Sequence, residues 1–157
     1  PISATFNVCC NINAPINVGP ADIVVDATAL PLTQVVAGQS ALVSIDGTVD
    51  TSGIPVGINA TLAQPSTFTL AGTLGSSSSQ TFVVPTPQSF NPGSDPIVDL
   101  GMHQFSGDVD PGASQVCVDV TDTVVTATIF GSTNTYACTP GTCAGAANAP
   151  VCIDVAP

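Results

Sequence analysis

Among 157 residues there is no lysine, no arginine and no glutamate, and that absence restricts the fold before any pattern is sought. These long, unbranched side chains normally cover the exposed faces of helices, where they lose little rotamer freedom. All eleven acidic residues are aspartates, which prefer turns and strand ends. Val, Thr, Ile, Gly, Pro and Ser dominate instead, the composition of strands joined by tight turns. The expectation is an all-β chain, an antiparallel β-sandwich (immunoglobulin-like or jelly-roll) held by disulfide staples.

The same absence bounds the partners. With a formal charge of −11 and a single histidine, the chain has no basic patch for nucleic acid or for an anionic membrane. No run of 18 apolar residues occurs despite a mean hydropathy of +0.47, so no membrane span is expected. Six cysteines, an even number, point to an oxidising exterior and an extracellular or cell-surface location. The opening "PISATF" has no charged or hydrophobic leader region, so a secretion signal is expected to be already removed. "NAT" at Asn59 is a formal glycosylation acceptor, a triplet that also arises by chance. One domain of this length buries roughly 70% of its unfolded surface. It divides into an N-terminal strand or arm, residues 1–20, and a body, residues 21–157.

Twelve strand-like runs alternate with turn-forming segments. They include "ATFNVCCNI", "VGINATLA", "SQVCVDV", "TVVTATIF" and "VCIDV"; the connections include "NAPINVGP", the tip at Ser76–Ser79 and "PQSFNPGSDP". Alternation puts Ala4, Phe6, Val8, Cys10 and Ile12 on one face of the first strand. Cys9 falls on the other, with Thr5 and Asn7. The same parity places Cys117 beside Asp119 and Cys152 beside Asp154, facing outward.

A bridge between Cys9 and Cys10 is unfavourable, because neighbouring Cα atoms lie ~3.8 Å apart and strand side chains diverge. Each is expected to pair with a different distant cysteine, stapling the strand on both faces. Cys138 and Cys143 flank "TPGT", a turn short enough for them to meet directly. Three readings of the cysteines stay open: bridges within the chain, bridges between subunits, or a metal site. The last is weak, since no Cys-x2-Cys pair exists and His103 is distant in sequence. The first strand with "NAPINVGP" has the form of a movable arm able to add itself to another copy's sheet edge. The alternative is the first strand of its own sheet.

The arm, "FNVCC" ahead of an all-β body, is similar to the arms of bacterial endospore appendage subunits over about a dozen residues. In that family the arm cysteines cross-link subunits into a fibre, so the resemblance implies Cys9 and Cys10 as cross-linkers. The third arm cysteine expected after a short spacer is absent. The body, with "GQSALVSIDGTVDT", "TFTLAGT" and "TYACTPGT", resembles secreted Ala/Thr/Val-rich β-sandwich domains of actinobacterial surfaces, which have no assigned chemistry.

For ligand chemistry, "SGDVDPG" sets Asp108 and Asp110 two apart in a Gly-bearing turn, the best candidate for calcium, which takes six to eight oxygens. Asp119 and Asp122, and Asp46 and Asp50, form looser pairs; the bland reading of all is solvated turn aspartates. "VDTSG" at Asp50 departs from the aspartic protease loop by the intervening Ser52. The chain has no Trp and one Tyr, leaving little for a sugar to stack on. His103 lacks a Gly-x-Ser-x-Gly partner, so no enzyme is expected. The leading functional expectation is a secreted structural subunit that assembles with its own copies into a filament or surface layer. Residues 1–13 would add as a strand and Cys9 or Cys10 would lock the joint. The alternative is a monomeric adhesion or ligand-binding module with internal bridges, acting through loops such as "PQSFNPGSDP".

Overall fold

The computed structural model describes residues 2–14, 17, 19–54, 63–76, 80–86, 96–129 and 132–156. Ten strands follow in chain order: β1 (Ile2–Ile12), β2 (Gly19–Pro31), β3 (Ser40–Asp50), β4 (Ala63–Gly75), β5 (Gln80–Thr86), β6 (Ile97–Asp99), β7 (His103–Asp108), β8 (Gln115–Ile129), β9 (Ser132–Pro140) and β10 (Val151–Asp154). No helix occurs among the described residues. The strands form one antiparallel ladder in the order β5-β4-β8-β9-β1-β2-β3-β6, with β10 also on β8 and β7 also on β3. The all-β, antiparallel, disulfide-stapled architecture expected from composition is therefore present. The expected strand "VGINATLA" and Asn59 fall largely or wholly at 55–62, outside the described residues, as does most of "PQSFNPGSDP".

Alternation builds the core. On β1, Phe6, Val8, Cys10 and Ile12 are buried; on β2, Ala21, Ile23, Val25 and Ala29; on β3, Ala41, Val43, Ile45 and Val49. These join Leu70 and Leu74 of β4, Val98 of β6, Val116, Val118 and Val120 of β8, Tyr136 of β9 and Ile153 of β10 in a single cluster. Each fully buried Val, Ile or Leu is worth about 1.5–3 kcal/mol relative to exposure.

Two features curl the ladder. The first is in β8, which the sequence presents as two runs, "SQVCVDV" and "TVVTATIF", and which is one strand of 15 residues. Val120 pairs with Gly72 and Thr123 with Leu70, so β8 spends one residue more than β4 between these points. Such a bulge bends a strand and reverses its parity. Even-numbered side chains are buried at Val116, Val118 and Val120, odd-numbered ones at Thr123 and Val125. Thr123 is thereby driven inside, wholly buried, and its hydroxyl has no hydrogen-bond partner.

The second feature joins the two ends of the ladder. A Cβ on Gly107 of β7 would lie 2.5 Å from the Leu74 carbonyl of β4, so only glycine permits this approach. Just beyond, Ser76 N donates to the Asp108 carbonyl (3.3 Å) and Asp110 N donates to Ser76 Oγ (2.8 Å).

Candidate functional site: the stapled first strand

The residues expected as an arm lie inside the sheet. β1 pairs with β2 along its full length, from Ile2 opposite Ala29 to Ile12 opposite Gly19. The expected "NAPINVGP" tether, residues 13–20, ends inside β2, and residues 13–18 link the two strands. The end of β1 is latched by Tyr136, whose hydroxyl donates to the Ala14 carbonyl. Burial raises the Tyr136 pKa, which keeps that donor protonated.

On its other side β1 meets β9 at Val8, Cys9 and Cys10 only. Cys10 stands opposite Cys138 and the two are bonded across the core, with Cα atoms 4.1 Å apart. That spacing is typical of the close, non-hydrogen-bonded pairs of an antiparallel ladder. Cys9, half-buried on the outer face, is bonded to Cys143. Each thus pairs with a different distant cysteine, and the strand is stapled on both faces. Cys138 and Cys143 do not bond each other: Cys138 points into the core, while the turn after β9 carries Cys143 over the outer face. The third bridge joins Cys117 to Cys152, which face each other across β8 and β10. All six cysteines are bonded within the chain.

The segment after β9 is pinned to β1 by more than its bridge. Asn7 N donates to Asn148 Oδ1 and Asn148 Nδ2 donates back to the Asn7 carbonyl, both at 2.8 Å. Gly141 N donates to that same carbonyl (2.8 Å), and Cys143 N donates to Asp22 Oδ1 of β2 (2.7 Å). Since the Asn7 main chain is served from this side, Asn7 and Val24 form a non-hydrogen-bonded pair of the β1–β2 ladder. In the equivalent pairs, Thr5 Oγ1 donates to Asp26 Oδ1 (2.8 Å), and the Ser3 and Thr28 hydroxyls lie 3.0 Å apart. A shallow concavity of about 320 Å³ lies here, lined by Ser3, Ala4, Thr5, Asp26, Ala27 and Thr28.

The remaining candidates are scattered. Asp108 is exposed on β7, one oxygen accepting from Ser40 Oγ at 3.4 Å. The Asp110 carbonyl accepts from Ala113 N in the following turn. Their main chains fasten β7 to the end of β4, and no group of three or more His, Cys, Asp or Glu side chains gathers among the described residues. Asp50 accepts from the Ser52 side chain and main chain, which holds its carboxyl below the usual value. Asp119 accepts from Val120 N, and Asp46 stands exposed opposite Thr28. The imidazole of His103 lies with Nε2 2.8 Å from the Leu100 carbonyl and stacks on Phe105. With Nε2 donating, this is a satisfied sheet histidine. Sequence reasoning found the two-faced staple and missed Asn148, whose role rests on a contact 141 residues away. No protein-family model, curated protein or solved structure matches this chain.

Proposed function

We propose that this chain works outside the cell as a non-catalytic adhesion or ligand-binding module, complete in a single copy. The observation that carries this reading is the position of β1. It occupies its own place between β2 and β9, and both its cysteines are bonded to the body of the same chain. Three bridges suit an oxidising exterior, where a domain without lysine or arginine also presents no site to trypsin-like proteases.

A second reading keeps the filament. β1 is joined to β2 through residues 13–18, and copies exchanging it there would reproduce every pairing and both bridges in trans. One experiment separates the two: electrophoresis in detergent with and without reductant, with intact mass. The module reading expects one band near 15.5 kDa, lighter than the reduced chain by about six hydrogens. A ladder that collapses on reduction would reject it in favour of exchanged strands.

A further inference from the structure

Before Asn7, the side of β1 turned away from β2 has no ladder partner among the described residues. β9 leaves after pairing with Val8, and Gly141, in the left-handed region at φ 98°, turns the chain away. Asn7 is the last residue served, by Gly141 and by the Asn148 amide. Antiparallel geometry sends the N–H and C=O of every second residue the same way, so those of Thr5 and Ser3 point where Asn7's point, away from β2. No described residue pairs with them there. The Asn148 side chain engages Asn7 with one donor and one acceptor, as the peptide group of an adjoining strand does. Beside this edge lies the concavity whose rim bears the hydroxyls of Ser3, Thr5 and Thr28 and the exposed Asp26 carboxylate. The chain holds no lysine or arginine to meet Asp26.

We propose that the open edge at Ser3 to Thr5 accepts an extended peptide of another protein, bearing lysine or arginine over Asp26. The peptide continues the line that β9 abandons. Its main chain supplies the pairing, and the Asp26 contact selects its sequence. A second copy of this chain is the wrong occupant. It brings another eleven negative charges and no cation, so like charge meets like. The inference rests on the binding-module reading.

The test is amide hydrogen exchange by NMR on the intact, oxidised protein. The probes are the blocked hexapeptide Thr-Lys-Val-Lys-Thr-Val and its counterpart with glutamate for lysine. In the free protein the Ser3 and Thr5 amides should exchange fast, whereas Ala4 and Phe6, bonded to β2, exchange slowly. The lysine peptide should protect Ser3 and Thr5 saturably, by tenfold or more, and the glutamate peptide should not. Asp26→Asn, which keeps an oxygen for Thr5, should weaken lysine-peptide binding about tenfold. Slow exchange of Ser3 and Thr5 in the free protein, no saturable protection, or equal protection by both peptides would overturn the proposal. A single monomer band with an unresponsive edge removes this inference and leaves the module reading standing; a ladder that collapses on reduction removes the reading itself.

Discussion

Two bridges in parallel do not hold the chain as two bridges in series would, and the difference is large enough to measure. Cys10–Cys138 closes a loop of 128 residues and Cys9–Cys143 one of 134. In the chain-entropy account, closing a loop of that length costs the unfolded chain about 5 kcal/mol. With either bridge formed, the other closes only about six further residues: one step from Cys9 to Cys10 and five from Cys138 to Cys143. That small ring is worth about 2 kcal/mol. Removing Cys9–Cys143 by Cys→Ala at both positions should therefore cost about 2 kcal/mol. Removing the buried Cys10–Cys138 pair should cost the same, plus a cavity term on the order of 1 kcal/mol. Removing both should cost about 7 kcal/mol of chain entropy, against about 4 for the two entropic parts summed, plus the same cavity term. Urea unfolding of the three variants, followed by circular dichroism, measures all three. If the outer-bridge variant alone lost about 5 kcal/mol, or if the costs simply added, the parallel-staple reasoning would fail.

Three further outcomes follow from the packing. Thr123→Val keeps the shape and removes a buried hydroxyl with no partner, so it should stabilise by about 1 kcal/mol, read as a higher urea midpoint at unchanged slope. Gly107→Ala forces a methyl against the Leu74 carbonyl and should destabilise by about 2–3 kcal/mol, with exchange accelerated in β4 and β7. Because the folded pKa of Asp50 is depressed, its contribution to stability is fully present above the ordinary value of 3.8 and is lost as pH falls through the folded value. Ser52→Ala should raise the Asp50 pKa toward 3.8, as followed by NMR titration, since the Ser52 side chain is the larger of the two hydrogen bonds that lower it.

Parity within a strand is a local property, and it was legible. The inward Cys10, outward Cys9 and half-exposed Cys117 and Cys152 all follow from alternation over a few residues. Which cysteines meet is a matter of strand order, which alternation does not contain. Only the placement of β1 between β2 and β9 puts Cys10 opposite Cys138. The short turn "TPGT" suggested a direct Cys138–Cys143 contact because loop length says nothing about the faces on which two side chains leave. The bulge at β8 was hidden for a related reason. Thr121 and Asp122 read as a break between two strands, because an extra residue and a turn both interrupt a two-residue period. The open edge at Ser3 and Thr5 depends on where β9 stops, and its neighbour Asn148 arrives from the far end of the chain.

The latch at Tyr136 has an optical corollary. It is the only tyrosine in a chain without tryptophan, so the near-ultraviolet absorbance and intrinsic emission of this protein arise chiefly from one ring. That residue is 3% exposed, sits two residues from Cys138 and touches the Ala14 carbonyl just beyond β1. A change in its signal therefore reports on the contact between β9 and the end of β1.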